Sequence, residues 1–388
     1  MVKVNKNITD IKTPPIDYFN NLLRTKSNNK FKSISFGHGI PMYTPNNYYK
    51  FSKNPLLDDS SYKYTEIRGD QRIRQYISTK LNSKCSFPVK SDNLIITSGA
   101  NSAIFKSLFL QLQYGDEVII PSPVYFNHTM AIEMIGGTVV EVNSIAESGF
   151  QLNLKGIQNK INSKTKAIII NTPNNPTGAT YNNDDMKILA QICDKKNITI
   201  VLDYTYEDFS YNLNYNPLAS FEHLKNLIII GSFSKTFGIT GLRLGYICAS
   251  KSIIEDLCKI QDTISICAPS ISQNILLQLL SNENDAIKMN FNSASDSRDK
   301  LIKCLNDSKI LNWQATNGAF YAFIKIPNTE NTWDFCEKMI IEYSLLVLPG
   351  SIFGEHWKSY IRIAYGAVSP KEIEEGVQRL YNQISKTT

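Results

Sequence analysis

Residues 227–246 read LIIIGSFSKTFGITGLRLGY. The first four are β-branched or leucine and carry no polar residue, as a strand buried on both faces requires. The run stops at Gly231, and the chain continues as Ser232-Phe-Ser-Lys235-Thr-Phe-Gly238, with Arg243 eight residues after the lysine. A lysine between serines and a glycine is ordinarily a solvated loop residue. A lysine at the end of a buried strand, beside hydroxyls and followed by an arginine, is much less often so.

Moving outward, runs of the same kind recur with helical stretches between them. They are Asn93–Thr97, Glu117–Ile120, Ala167–Asn171, Ile198–Leu202, Leu227–Gly231 and Leu244–Ala249, and an amphipathic run spans Ala103–Leu112. This alternation predicts an α/β fold with a mostly parallel central sheet flanked by helices. Sites in such sheets form at the carboxyl ends of the strands. The chemically informative stretches, Ser98–Asn101, Asn171–Gly178, Asp203–Tyr206 and Ser232–Lys235, all sit there. After about Ser281 the texture changes to a polar helical stretch, then Gly318–Ile326, a helix around Thr332–Tyr343, and short strands at Leu345–Leu348 and Tyr360–Ala364. The expectation is a large α/β domain over 50–285. A smaller α+β domain over 286–388 is joined by an N-terminal segment, 1–49, so that both chain ends build it.

Composition sets outer limits. The 388 residues are 42% hydrophobic and 20% charged, with a net charge of +6 and acids and bases interspersed, which suits a folded globular chain and offers no basic stripe for nucleic acid. The seven cysteines are scattered without a CxxC pair and the four histidines lie far apart, so no metal site is expected. The N-terminus MVKVNKNITDIKTPP has no apolar core and no run reaches membrane-spanning length. A reducing cytoplasm is the expected compartment, with no membrane association.

Three blocks carry the chemistry. Asn171-Thr-Pro-Asn-Asn-Pro-Thr-Gly178 closes a strand and on its own could be a plain turn. Asp203 ends the strand ITIVLD and Tyr206 follows three residues later; an acid there is often only a helix cap. The lysine block is the third. Together TPNNPTG, DYTYEDF and SFSKTFGITGLRLGY resemble the hallmarks of the class I/II aminotransferases, fold-type-I enzymes that depend on pyridoxal 5'-phosphate (PLP). The resemblance runs from Gly39-Ile-Pro-Met-Tyr-Thr-Pro45 through Tyr64-Thr-Glu-Ile-Arg-Gly69, Thr97-Ser-Gly-Ala-Asn101 and Pro121-Ser-Pro-Val-Tyr125. It ends at Leu348-Pro-Gly350 and Tyr360-Ile-Arg-Ile363.

That resemblance implies roles. Lys235 forms the internal aldimine with the cofactor aldehyde and then shuttles the substrate proton. Asp203 faces the pyridine nitrogen and keeps the ring an electron sink. Asn175 and Tyr206 hydrogen-bond the ring oxygen O3′, and Tyr125 lies on the ring face. Ala100 and Asn101, where a strand turns into a helix, offer backbone amides to the phosphate. Ser232 and Arg243 complete its cradle, and Tyr64 reaches it from a neighbouring subunit, which implies a homodimer. Arg362 clamps the substrate α-carboxylate with its planar fork, and Gly39 belongs to the loop closing over it. The implied reaction moves the amino group of an L-amino acid to a 2-oxo acid through a pyridoxamine phosphate intermediate. A lyase, cyclase or oxidase using the same site is the alternative. A PLP-binding transcription regulator is disfavoured, because only about forty residues precede Gly39.

Two departures bear on specificity. The entrance loop GIPMYTP is one residue shorter than the usual pattern. Where one acidic-substrate subgroup carries a lysine, this chain has the neutral Asn101; Lys106 and Arg68 are the candidate replacement cations.

Overall fold

Among the described residues twelve strands form, in order β1 Ile34–Ser35, β2 Leu94–Thr97, β3 Glu117–Ser122, β4 Thr138–Asn143, β5 Thr165–Asn171, β6 Thr199–Asp203, β7 Leu227–Ser232, β8 Gly245–Cys248, β9 Tyr321–Lys325, β10 Leu345–Leu346, β11 Leu348–Pro349 and β12 Tyr360–Ala364. They are taken from a computed structural model that describes residues 2–11, 13–28, 30–51, 54–308, 311 and 313–386. β2 to β8 form one seven-stranded sheet in the order β2-β8-β7-β6-β5-β3-β4.

The apolar runs form strands because both faces of the sheet are covered. Ile168 and Ile170 of β5, Ile200 and Leu202 of β6, and Leu227 and Ile229 of β7 point into one core. Their neighbours Ala167, Ile169, Val201, Ile228 and Ile230 point into the other, under helices Ala100–Gln111 and Lys251–Ser265. Side chains of period 2 thus fill two layers, which is why the runs carry no polar alternation.

The sheet is mostly parallel, as expected, with one reversal. β8 pairs antiparallel with both β7 and β2, whereas β3, β4, β5, β6 and β7 are joined by parallel pairings. The run Leu244–Ala249 therefore lies in the sheet but against its direction. β4 did not stand out in the sequence. It lies at the sheet edge with most of its residues exposed or half-buried, so TVVEVN lacks the unbroken apolar signature. Because β2 runs with β7, the carboxyl ends Thr97, Ser122, Asn171, Asp203 and Ser232 reach one rim.

The remaining strands make a smaller α+β layer from both ends of the chain. β9, β11 and β12 form an antiparallel sheet in the order β11-β12-β9, and β1 pairs parallel with β10. The expected single strand Leu345–Leu348 is two short ones, split between these sheets. Phe19 of helix Pro15–Lys26 packs on Trp333 of helix Trp333–Tyr343 with ring centroids 5.0 Å apart. Helices Glu283–Ser308 and Pro370–Ile384 lie against each other.

Candidate active site

A cleft of about 170 Å³ opens where the strand rim meets the smaller layer. It is lined by Gly39, Ala100, Asn101, Tyr125, Asn175, Asp203, Tyr206, Ser232, Lys235, Arg243 and Arg362, eleven of the twelve residues singled out from the sequence. The twelfth, Tyr64, does not line it: its side chain is 75% exposed.

β6 delivers Asp203 to the cleft floor and a tight turn holds its carboxylate. One oxygen, Oδ1, accepts from the backbone amide (3.1 Å) and hydroxyl (2.6 Å) of Thr205, two residues on. The other, Oδ2, lies 3.0 Å from Nε2 of His128, which is buried on helix Phe126–Ile135. Nδ1 of that histidine is buried and has no partner among the described residues. A neutral imidazole donating from Nε2 to the carboxylate leaves Nδ1 as the bare acceptor, a tautomer that costs no unpaired N–H. His128 also meets Tyr125 edge-on at 5.6 Å. Neither His128 nor Thr205 was singled out from the sequence. For Thr205 the signal was present, a hydroxyl two residues past a strand-end acid. For His128 it was not.

β7 runs into the four-residue helix Phe233–Thr236, which puts Lys235 one turn past the strand end. Its Nζ donates to the carbonyl of Gly39 at 2.6 Å. Burial, reinforced by the cations Arg243 and Arg362 and only partly opposed by Asp203, lowers its pKa to about 8. Neutral amine is therefore populated near neutral pH, as a nucleophilic or basic lysine needs.

Arg362 comes from the middle of the small antiparallel sheet and is 1% exposed. Nη1 donates to Oδ1 of Asn175 at 2.9 Å and Nη2 to the carbonyl of Gly37 at 2.5 Å. The guanidinium carbon sits 4.9 Å from the ring centre of Tyr321 and 5.1 Å from that of Phe353. Burial lowers its pKa from the ordinary arginine value. Its buried Nε has no partner among the described residues, so this fork has a donor to spare for an anion. Tyr321, another residue not singled out, also meets the Tyr206 hydroxyl at 2.6 Å. Desolvation, with Tyr321 next to it, holds the Tyr206 phenol well above its ordinary pKa, so it remains a neutral donor. Gly39 has no side chain because a Cβ there would collide with the Tyr321 hydroxyl.

The opening of helix Ala100–Gln111 makes a second anion site. Its N-cap is Gly99 at φ 86°, and no side chain caps the free amides of the first turn. Arg243, itself left-handed at φ 54°, lays its guanidinium where a Cβ on Gly99 would be. Its Nη1 donates to the Thr240 carbonyl at 2.9 Å. Ser232, buried at the end of β7, adds a hydroxyl. Uncapped amides, an arginine and a serine suit a phosphate; a held carboxylate suits a protonated ring nitrogen; a lysine of reduced basicity suits an aldehyde. The donor set therefore fits PLP. Tyr125, half-buried beside Asp203's histidine, has its phenol pKa raised by desolvation, and its hydroxyl accepts from Nδ2 of Asn127 at 2.8 Å.

The two candidate replacement cations are elsewhere. Lys106 is 2% exposed and its ammonium is bound to Oε1 of Gln261 at 2.8 Å; Gln261 is tied in turn to the carbonyls of Ile67 and Ile96. Arg68 pairs with Asp92 at 3.6 Å. Neither lines the cleft, whose cations among the described residues are Lys235, Arg243 and Arg362. No helix among the described residues is long and apolar enough to cross a membrane, and no group of acidic, histidine or cysteine side chains there could hold a metal.

The family description "Aminotransferase class I and II" matches residues 43–380. An aspartate aminotransferase of Sulfolobus acidocaldarius is 31% identical over 364 residues, covering 92% of this chain and 90% of its own. One from Pyrococcus abyssi is 32% identical over 355 residues, covering 89% and 90%. Among solved structures, an aromatic aminotransferase from Pyrococcus horikoshii superposes with a TM-score of 0.86 at 30% identity, covering 95% of this chain and 99% of that one. The aspartate aminotransferase of Thermotoga maritima gives 0.87 at 25%, covering 98% and 99%.

Proposed function

Given that the chain belongs to the class I and II aminotransferase family, whose members are PLP-dependent, we propose that this transaminase holds PLP in the cleft through Lys235 and moves the amino group of an L-amino acid to a 2-oxo acid. The observation that carries the reading is the convergence of Lys235, Asp203 and two separate anion sites on one cleft. The four relatives and structures reported above are named as aminotransferases, which lends no support to elimination, cyclisation or oxidation.

When bound, the cofactor supplies a protonated ring that accepts the electrons released at the substrate Cα. The chain does the rest. The first-turn amides at Ala100 and Asn101, with Ser232 and Arg243, bind the phosphate. Asp203, oriented by Thr205 and His128, holds the proton at the pyridine nitrogen. Asn175 and Tyr206 would supply donors to the ring oxygen O3′, and Tyr125 would help hold the ring. Arg362 receives the α-carboxylate, with its spare Nε available, and thereby orients Cα–H toward Lys235. Lys235 Nζ, neutral in part at neutral pH, takes that proton. The loop at Gly39 covers the substrate and excludes water.

Several finer statements belong to the same proposal. The chain divides into 1–49, 50–285 and 286–388; the pairing of β1 with β10 and the start of helix Glu283–Ser308 support that division. The protein acts as a homodimer in which Tyr64, exposed on its own chain, serves the neighbour's phosphate site. Free cysteines suit the cytoplasm. The test is a half-reaction. An L-amino acid added to the PLP-loaded protein without a 2-oxo acid should convert the lysine-bound chromophore to the pyridoxamine form and release the matching 2-oxo acid stoichiometrically. Turnover with ammonia release and no pyridoxamine form would refute amino transfer.

A further inference from the structure

Outside the cleft, five ionisable side chains meet in a largely buried cluster. Lys80, on helix Gln71–Asn82, lies 3.1 Å from Glu207, 3.3 Å from Asp208 and 2.9 Å from Glu283, and Lys84 binds Glu207 at 2.7 Å. Three carboxylates thus face two ammonium groups. Burial opposes charge on Lys80, but Asp208, Glu207 and Glu283 outweigh it and hold its pKa well above the ordinary lysine value. The two lysines overcome the burial of Glu207 and hold its pKa to about 2. Asp208 is the member left short: burial, with Glu207 beside it, raises its pKa. Its Oδ2 accepts from the Thr236 hydroxyl at 2.6 Å.

The sequence positions give this contact its meaning. Glu207 and Asp208 directly follow Tyr206, and Thr236 directly follows Lys235. The cluster therefore joins the back of the Tyr206 segment to the back of the Lys235 turn. The turn is held on its other sides as well: the Thr236 carbonyl accepts from Asn290 at 3.4 Å and the Phe237 carbonyl from the Tyr48 hydroxyl at 2.7 Å.

We infer that Asp208 and Thr236 are positioning residues for Lys235, fixing its amine within the cleft through one hydrogen bond anchored in the Lys80 cluster. The inference rests on Lys235 being the cofactor lysine. Neither residue lines the cleft, so each acts through the turn. The charged groups acting on Lys235 are Arg243, Arg362 and Asp203. Release of the turn would let the amine move from the two arginines toward water, and its basicity would recover.

The test is the pH dependence of trace acylation of Lys235 in the cofactor-free full chain, followed by peptide mass mapping. In the native chain the midpoint should lie near 8. In Thr236→Val it should move toward 10.5 by at least about half a pH unit, and Thr236→Ser should restore it. Asp208→Asn provides a second route should the valine variant not fold, with an upward shift again expected. A midpoint that stays at the native value in the folded variants, even with thermal stability lost, would make the contact merely structural and overturn the inference. Borohydride mapping of the PLP-loaded protein reports separately on whether Lys235 is the cofactor lysine, so the two failures are distinguishable.

Discussion

Replacing Lys235 by methionine in the cofactor-free protein should change how its stability depends on pH. The lysine has an ordinary pKa of 10.5 and a folded-state value of about 8, lowered by burial, Arg243 and Arg362. Between those values the unfolded chain binds more protons than the folded one, so this group's contribution to stability rises with pH across the window. Below pH 8 the full penalty applies, about 3 kcal/mol at roughly 1.4 kcal/mol per pKa unit. Opposing it is the bond from Nζ to the Gly39 carbonyl, worth about 1.5–3 kcal/mol when the donor is charged. These nearly cancel at pH 7, so the absolute difference between the proteins is a poor test. The slope is the sharp one. Urea unfolding of both proteins from pH 7 to 10 should show the native chain gaining on the methionine variant by about 2 kcal/mol or more above pH 8. A difference that stays flat through this range would mean that Lys235 titrates as a free lysine, and the argument for a reactive amine in a dry cleft would fail.

Other outcomes follow from the same geometry. Asp203→Ala should retain PLP but slow exchange of the substrate α-proton by at least about 100-fold, the usual scale for removing a charge aimed at the developing transition state; exchange at the native rate would demote Asp203 to a turn-holding role with Thr205 and His128. Tyr64→Phe should weaken PLP retention by about 1.5–3 kcal/mol at most, and mass measurement in solution should give a dimer; a monomer that holds PLP tightly and turns over normally would contradict the shared site. A kinetic survey of donors should show no strong preference for aspartate or glutamate over neutral and aromatic amino acids. Asn101 is neutral, and the cleft's described cations are Lys235, Arg243 and Arg362. A preference for aspartate by orders of magnitude would overturn this expectation.

Much of this arrangement was legible in the sequence because it is local. Strands buried on both faces announce themselves as unbroken apolar runs, and six of the seven in the main sheet do so; β4, at the edge, does not. The reversal of β8 was hidden because an antiparallel strand in the same buried environment carries the same composition. The cleft residues were legible where a strand end and its following turn keep a fixed chemistry, as at Asn171–Gly178, Asp203–Tyr206 and Ser232–Lys235. Residues that reach the cleft through tertiary packing were not. His128 lies within a helix 75 positions from the carboxylate it orients, and Tyr321 reads as one more apolar position in GAFYAFIKI. Lys106 shows the converse error. It is only five residues from Asn101, but that spacing turns it inward onto Gln261 and away from the cleft.

The central claim, that this cleft holds PLP on Lys235, is tested most directly by reducing the PLP-loaded protein with borohydride and mapping the modified peptide. The account requires a single stable pyridoxyl group on Lys235 and none on the Lys235→Met variant. Labelling at another lysine, or equal labelling of the variant, would contradict it.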